Sequence, residues 1–476
     1  MKPARLLPLI VACALFIENM DSTVISTSLP AIAADLETSP IGLKLALTAY
    51  LLALAVFIPV SGWIADRFGA RTTFMAAIAV FLAGSIGCAA SGSLGGLVAA
   101  RFVQGMGGAM MVPVGRLVLL RTVPKSELVQ ALSWLTIPAL VGPMVGPPLG
   151  GFITTYFHWR WIFLVNVPIG LLGIALAKRF IPNLRQEAPP LDVRGFLLAG
   201  VGLATAILGF STLGQHLVPA DIAAAALALG LALLAGYVVH ARRSRAPLLD
   251  LNLLRLPTYR AGVAGGWLFR VGIGATPFLL PLMLQLGFGL TPVESGLLTF
   301  VSSIGAIFMK TIAARILKRF GFRRVLVWNA LAASALLAAF GLFRPDTPHA
   351  LIIATLLVSG CFRSLQFTSL NAISYAEVDS RRMGQASSLA GMAQQLALSL
   401  GIAVGGYLLE LLGWINDRPA TDVRNFYLAF LGVGLIAASS AWILSRLPRD
   451  AGAELAGRAR PGEEITEPKP AQLPAT

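Results

Sequence analysis

The sequence is poor in charge and in the residue types from which active sites are built. Only 12% of its 476 residues are charged, against about 25% in soluble domains. Its four histidines lack metal-ligand spacing, and no Gly-x-x-x-x-Gly-Lys-Ser/Thr phosphate loop occurs. We therefore expect no enzyme, no ATP-driven pump, and no bound metal or cofactor. The cysteines, Cys13, Cys88 and Cys361, all lie in apolar segments, which argues against a disulfide framework.

Long hydrophobic runs are abundant instead. Apolar residues make up 56% of the chain, and runs of about 18 to 25 residues, long enough to cross a bilayer core, recur as far as Arg446. This pattern predicts an all-α membrane protein with about fourteen transmembrane helices. No connection is long enough for a soluble catalytic domain. The predicted spans begin near Leu6, Leu43, Thr73, Leu94, Ala131, Trp161, Arg194, Val218, Ala261, Ser295, Val325, Ala350, Gln385 and Phe426.

The net charge of +15 comes from basic residues scattered in short clusters between the spans. They form no single face, so we do not expect a nucleic-acid partner. The clusters occupy every second connection, as the positive-inside rule requires of cytoplasmic loops. With an even number of spans, both termini fall on the cytoplasmic side of a plasma membrane.

A short sequence recurs in the two halves of the chain. Arg-Phe-Gly-x-Arg occupies residues 67–71 and again 319–323. Each copy joins the second and third spans of its half if two central spans are set aside, which predicts six plus two plus six helices. Parallel repeats of this kind are typical of two-lobed transporters that bind their substrate between the lobes. The predicted divisions are an N-terminal lobe, two inserted helices with linkers, a C-terminal lobe and a disordered cytoplasmic tail: 1–182, 183–250, 251–447 and 448–476.

Two carboxylates, Glu18 and Asp21, interrupt the first apolar run, Leu6 to Ile32. A charge at mid-bilayer costs roughly 2.5 to 3.5 kcal/mol on insertion scales, so it needs a partner, a water-filled cavity or a function. Their i, i+3 spacing places both on one face of a helix. The alternative is that one or both form hydrogen bonds to neighbouring helices as structural glue.

Five segments carry a family resemblance over essentially the whole membrane region. Together, their order and spacing resemble those of the major facilitator superfamily, in particular the fourteen-span drug:proton antiporters of the EmrB/QacA type. The segments are Asp21–Pro30, Gly62–Arg71, Arg101–Gly108, Gly142–Gly151 and Trp159–Gly170. The resemblance implies the two-lobed fold, a bacterial inner membrane, and, in some members of the group, a periplasmic adaptor protein as partner.

The resemblance also implies roles for particular residues. Proton coupling falls on Asp21 with Arg101, and Glu18 shares the face of Asp21. A cation beside a buried carboxylate favours its charged form and is released when the carboxylate takes a proton. The alternative for Arg101 is an interfacial side chain that snorkels to the lipid headgroups.

Two further motifs concern the conformational cycle. A loop with two glycines and an acid able to pair with Arg67, Arg71 or a lobe partner predicts a latch that holds one transporter state; a basic turn that only sets topology is the alternative. The latch residues are Gly62, Asp66, Arg67, Gly69 and Arg71. The fifth-span motif of antiporters thins and kinks its helix with Gly142, Pro143, Gly146, Pro147, Gly150 and Gly151.

Polar residues inside apolar spans are candidates for the substrate cavity: Gln104, Arg270, Arg363, Gln366, Asn371 and Gln394. The favoured function is proton-coupled export of drugs or other toxic amphipathic compounds from the cytoplasm. The two arginines, however, suit a carboxylate cargo better than a lipophilic cation. Export of an anionic metabolite or a metal chelate is therefore the alternative.

Overall fold

The computed structural model describes residues 3–123, 125–186, 190–213, 218–244, 246–379 and 382–455, with the backbone alone at 3–6 and 125–140. Within these residues the chain is helical and contains no strand. Fourteen long helices follow one another. They are α1 Pro3–Val24, α2 Lys44–Phe68, α3 Ala70–Ala90, α4 Leu94–Thr122, α5 Lys125–Tyr156, α6 Trp161–Phe180, α7 Val193–Thr212, α8 Ala220–Arg243, α9 Pro257–Gly287, α10 Pro292–Phe320, α11 Phe322–Leu342, α12 His349–Ser374, α13 Met383–Ile415 and α14 Val423–Leu444.

These helices confirm the predicted all-α membrane fold. In the described residues, thirteen are long and apolar enough to cross a membrane, and α5, with 32 residues, is the fourteenth. Most begin at the predicted apolar run or a few residues before it, and polar side chains cap the start of some of them. Ser93, for example, accepts the backbone N–H of Gly96, and Thr291 forms a capping box with Glu294.

Two helices have interruptions close to the predicted site. α1 ends in a 3-10 turn, Ile25–Thr27, followed by a short helix, Leu29–Asp35. α9 contains two π-helical segments, Ala261–Gly265 and Met283–Gly287. Such segments widen a helix locally and are frequent at functional sites.

The repeated Arg-Phe-Gly-x-Arg sequence forms the same turn twice. Gly69 between α2 and α3 has a φ of 96°, and Gly321 between α10 and α11 has a φ of 78°. Only glycine adopts this conformation without strain. The internal repeat seen in the sequence is therefore also a repeat of backbone geometry.

The helices pack in two groups with a pair beside them. α1–α6 pack on one another and form the N-lobe; α9–α14 form the C-lobe; α7 and α8 pack on each other, and α7 also packs on α2. Asp192 holds the inserted pair to the chain that follows, because its carboxylate accepts hydrogen bonds from Gly195, His240 and Leu248. This packing agrees with the six-two-six arrangement, whose residue boundaries remain a prediction.

The two lobes meet mainly at one membrane face. We name the face that holds the start of α1 and the end of α14 the terminal face, and the other the opposite face. One apolar core runs through the C-lobe and into the opposite-face ends of the N-lobe helices, at Val24, Leu43 and Phe163 for example. A separate core fills the terminal half of the N-lobe. The molecule is thus closed at the opposite face.

The first part of the predicted tail differs from the expectation of disorder. At residues 448–455 the chain turns back on the C-lobe, where Gly452 packs against Phe322 and Ile373. Burial of this apolar surface holds the segment in place. The rest of the predicted tail, 456–476, lies outside the described residues.

Candidate functional site

The carboxylate of Asp21 lies fully buried at the centre of an N-lobe hydrogen-bond network. Its Oδ2 accepts a bond of 2.5 Å from Arg101. Its Oδ1 accepts bonds from Gln104 at 2.8 Å and from Asn166 at 2.7 Å. Ser85 accepts a further hydrogen bond from Gln104. Side chains of α4 and α6 therefore bind the carboxylate of α1 directly, and Ser85 of α3 joins the same network.

Arg101 is enclosed with Asp21. Its side chain is fully buried, its guanidinium also donates to Gln104 at 2.6 Å, and it lies 4.2 Å from the centre of the Tyr50 ring. Its Nε has no partner among the described residues. The snorkelling alternative is therefore wrong: Arg101 is an inward-facing cation held by a carboxylate, an amide and an aromatic face.

Glu18 lies one helical turn before Asp21 but outside the network. It is 7% exposed, and its side chain packs near Gly108 and the Tyr50 hydroxyl. Its carboxylate makes no hydrogen bond or ion pair with the described side chains. The structure thus separates the two acids: Asp21 has its charge compensated, whereas Glu18 is buried beside it without a described partner.

The glycines of the fifth-span motif form the surface against which α1 packs. A methyl group at Gly142 would meet Phe16 and Asn19, and one at Gly150 would meet the carbonyl of Val24. Gly146 faces Thr23 in the same way. Thr27 donates to the carbonyl of Pro147 over 3.3 Å. Three of the motif glycines therefore let α5 approach the helix that carries Glu18 and Asp21.

The same motif also reaches the other lobe. A methyl group at Gly151 would collide with the carbonyl of Pro292 at the start of α10, and Gly296 of α10 packs equally closely on Pro147. Pro143 lies on the same helix, half-buried. The motif is therefore in contact with both α1 and the C-lobe. A movement of one of them can be transmitted to the other through α5.

The acid of the loop predicted as a latch pairs with another residue of its own lobe. Asp66 forms an ion pair of 2.7 Å with Arg121 at the end of α4, and Arg121 also donates to Gln186. Of the three expected alternatives the structure shows the lobe partner; Arg67 is exposed, and Arg71 lies in a groove with Lys178. The Asp66 pair stays within the N-lobe and ties α2 to α4 at the terminal face.

The two glycines of that loop differ in whether their positions could accept a side chain. Gly69 has positive φ, and its neighbour Asn183 occupies the space that a side chain would need. Gly62 has open space around it, because no described neighbour comes within 4 Å of the position that a methyl group would take. Only Gly69 has a structural requirement for glycine in this conformation.

A second polar region lies in a cavity of about 310 Å³ in the terminal half, between the lobes. Arg270 of α9, 6% exposed, donates to Asn371 of α12 over 2.9 Å, and its Nε has no partner among the described residues. Gln394 of α13 and Arg116 of α4 also line the cavity. The described lining residues include two guanidinium groups and no carboxylate. Arg116, near the terminal end of α4, faces this cavity from the N-lobe.

Three of the residues predicted for the cavity are elsewhere. Gln104 is fully buried in the Asp21 network. Gln366 is fully buried inside the C-lobe, where it accepts from Asn329 and donates to the Leu326 carbonyl. Arg363 faces Ser302 of α10 at 3.4 Å and does not line the cavity. Arg270, Asn371 and Gln394 are the three that the structure brings together.

Several site residues have no signal in the sequence strong enough to identify them. Asn166 lies inside one of the family segments without a predicted role, and Ser85 and Tyr50 are common residue types in a span. Arg121 has only the signal of a topological charge. Each is identified by a partner distant in sequence, such as the 145 residues between Asn166 and Asp21, and pattern along the chain does not reveal that pairing.

A bundle of membrane-length helices in two lobes, closed at one face and with a polar cavity in the other half, defines a secondary transporter. The sequence comparisons agree. The model of the Major Facilitator Superfamily matches residues 11–195 and 262–473. The chain belongs to this superfamily.

Its relatives include "Putative multidrug resistance protein MdtD" of Escherichia coli (strain K12), 37% identical over 444 residues that cover 93% of this chain and 94% of that protein. A protein of the same description from Escherichia fergusonii is equally similar, with the same identity and coverage. The similarity therefore spans both lobes and the inserted helices.

Solved structures share the fold at low identity. A D-xylose-proton symporter has a TM-score of 0.69 at 15% identity, covering 94% of this chain and 98% of the other. A POT family transporter bound to a thioalcohol-conjugated peptide has a TM-score of 0.68 at 16% identity, covering 92% and 94%. The human organic anion transporter MFSD10 has a TM-score of 0.59 at 14% identity, covering 93% and 100%. At these identities the likeness extends to the fold alone.

Proposed function

We propose that the protein is a proton-coupled exporter that moves drugs or other toxic amphipathic compounds out of the cytoplasm by alternating access. The observation that carries the proposal is the fully buried Asp21 carboxylate paired with Arg101. The 37% identity to a relative described as a multidrug resistance protein supports the cargo class.

Proton coupling follows from how this pair would respond to protonation. With Asp21 charged, Arg101 is compensated and the four helices are held together. When Asp21 takes a proton, Arg101 stays charged, buried and without its carboxylate, which is costly in a low-dielectric interior. A state that lets water or another acid reach Arg101 is then favoured. Glu18, close by on α1, is the nearest buried acid for a second role in this exchange.

The proposed direction of transport rests on the position of the cavity and on the family resemblance of the sequence. The cavity lies toward the terminal face, which the basic loops predict to be cytoplasmic. Cargo would enter there and leave when the opposite face opens. We accordingly place both termini in the cytoplasm and the protein in a bacterial inner membrane; a periplasmic adaptor stays a prediction from the family resemblance.

The cavity lining favours a second candidate, export of an anionic metabolite or chelate. Arg116 and Arg270 line it with Asn371 and Gln394, and no acid is present among the described lining residues. Guanidinium groups bind carboxylates and phosphates through charge-assisted hydrogen bonds, whereas they repel a cationic drug. The candidate differs from the first in cargo and shares its proton coupling.

Transport in proteoliposomes with an imposed pH gradient tests both. Cationic dyes and di- and tricarboxylates are offered separately, with and without the gradient. Drug export predicts gradient-driven movement of the dyes; the second candidate predicts movement of the acids, with Arg270→Gln reducing it roughly tenfold or more. Movement of any cargo that ignores the gradient would remove proton coupling from the proposal.

A further inference from the structure

Lys44 and Glu410 form an ion pair that joins the two lobes at the opposite face. The Nζ of Lys44, near the start of α2, lies 3.0 Å from Oε2 of Glu410, near the end of α13. The side chain of Lys44 is fully buried and that of Glu410 is 17% exposed. It crosses from the N-lobe to the C-lobe, whereas the pairs of Asp21 with Arg101, of Asp66 with Arg121 and of Asp35 with Arg160 stay within the N-lobe.

The residues around this pair pack closely against the lysine side chain. Its aliphatic stem packs on Gly406, where a methyl group would collide with its Cδ. One turn further along α2, the carbonyl of Thr48 accepts a hydrogen bond from Ser399 of α13. α2 and α13 are therefore joined at this end by charge, close packing and a hydrogen bond.

The pair borders a large pocket that opens at the opposite face. The pocket, of about 1020 Å³, lies between the segment after α1 and the end of α13. Besides Glu410, its charged and titratable lining residues are Glu37, Tyr407, Asp417 and Arg418. Glu410 lies at the edge of this pocket and is partly accessible to solvent, whereas Lys44 behind it is fully buried.

We propose that Lys44 and Glu410 act as the gate of the opposite face: the pair holds the lobes together there and must separate each time that face opens. A buried charge is costly without its partner, so intact pairing favours the closed state. Separation of α2 from α13 would let water from the adjoining pocket hydrate both groups. Hydration of the separated charges would then offset part of the cost of opening, which newly exposed apolar side chains could not do.

This inference rests only on the alternating-access part of the proposed function. The test measures distances between the lobes and needs neither cargo nor a proton gradient. Its outcome is therefore independent of whether the protein is a proton-coupled exporter. Cys13, Cys88 and Cys361 are replaced by alanine in the full-length chain. Spin labels are then placed at Ala34 and Ile415 to report the opposite face.

Neutralising either partner should open that face. Glu410→Gln and Lys44→Met are each expected to raise the population with a long Ala34–Ile415 separation by roughly tenfold. Because Glu410 has a further interaction in the structure, the Lys44 variant tests the pair from its other side. Gly406→Ala, which displaces the lysine stem, should act in the same direction.

Two further variants separate a gate from a general loss of packing. The exchange Lys44→Glu with Glu410→Lys should return the distance distribution toward that of the unaltered pair. Asp35→Asn is the matched control, since Asp35 pairs with Arg160 at the same face but within one lobe. The hydrogen bond from Arg160 lowers the pKa of Asp35, so this pair is charged at neutral pH and its loss should leave the separation unchanged. An unaltered distribution in both Glu410→Gln and Lys44→Met would overturn the gate.

Discussion

At the scale of single residues, burial separates the charged side chains that are candidates for function from those in exposed loops. Asp21 and Arg101 are both fully enclosed, and removing one partner of such a pair typically costs about 3 to 5 kcal/mol. A test of proton coupling at Asp21 should therefore keep the shape of the carboxylate and remove only its charge. Glu18, which lacks a described partner, is subject to no comparable constraint.

Asp21→Asn should abolish the dependence of transport on the pH gradient while the protein still folds. An asparagine fills the same space and imitates the permanently protonated acid, so Arg101 cannot alternate between paired and released states. We expect at least a roughly tenfold loss of gradient-driven transport in proteoliposomes. Gradient dependence equal to that of the unaltered chain would exclude Asp21 as the coupling acid, and Glu18→Gln measured in parallel shows whether the second acid shares the role.

At the scale of elements, glycines set how closely helices approach. α5 meets α1 through Gly142, Gly146 and Gly150, and meets α10 through Gly151. Small residues bring helix backbones together and allow dispersion contacts along their length. The helix that carries Asp21 is thereby held between close neighbours.

Gly150→Ala should destabilise the fold and impair transport. The added methyl group meets the backbone carbonyl of Val24, which can move only if α1 moves. Overpacking of this kind costs about 1 to 3 kcal/mol, visible as a lower thermal unfolding midpoint in detergent. Gly236→Ala in α8 is the matched control, because its methyl group would find an ordinary contact at 3.8 Å; equal midpoints for the two variants would contradict the packing role.

Asp66→Asn should impair transport without preventing membrane insertion. The change removes the charge that ties α2 to Arg121 of α4 at the terminal face. A transport rate reduced several-fold at unchanged expression is expected if this tie stabilises one state of the cycle. Gly62→Ala, placed in open space on the same helix, should transport normally. Unchanged transport by Asp66→Asn would leave the loop as a topological turn only.

At the scale of the whole molecule, the distribution of the apolar cores determines which face is closed. The core that joins the lobes lies toward the opposite face, and the cavity with Arg116 and Arg270 lies in the terminal half. The alternating access that we propose requires this asymmetry to be reversed, and the ion pair between α2 and α13 lies at the face that must then open.

Access to labelling reagents should reproduce this asymmetry. In the chain without native cysteines, Asn371→Cys, in the cavity and exposed, should react with a membrane-impermeant maleimide applied from the cytoplasmic side, in inverted vesicles. Thr48→Cys, 1% exposed between α2 and α13, should react from neither side in this state. Labelling of Asn371→Cys in intact cells and not in inverted vesicles would reverse the proposed orientation.

Much of the architecture was predictable because it depends on local composition. The fourteen helices follow from apolar run length, and the turn at Gly69 recurs at Gly321 because the same residues are repeated. The contact between Asp21 and Arg101 was expected from motifs. The partner of Asp66 and the burial of Gln104 and Gln366 were not, since these depend on which helix faces which.

The sequence by itself therefore determined that this chain crosses a membrane many times, that its halves repeat, and that an acid lies buried in its first span. The spans and the buried acid follow from the cost of desolvating each segment, and the repeat is visible in the sequence directly. Only the tertiary structure decided which of the polar residues meet: Asn166 with Asp21, Arg116 with Arg270 around one cavity, and Lys44 with Glu410 across the lobes. Those pairings depend on how helices far apart in the chain pack together, and no local sequence pattern specifies that packing.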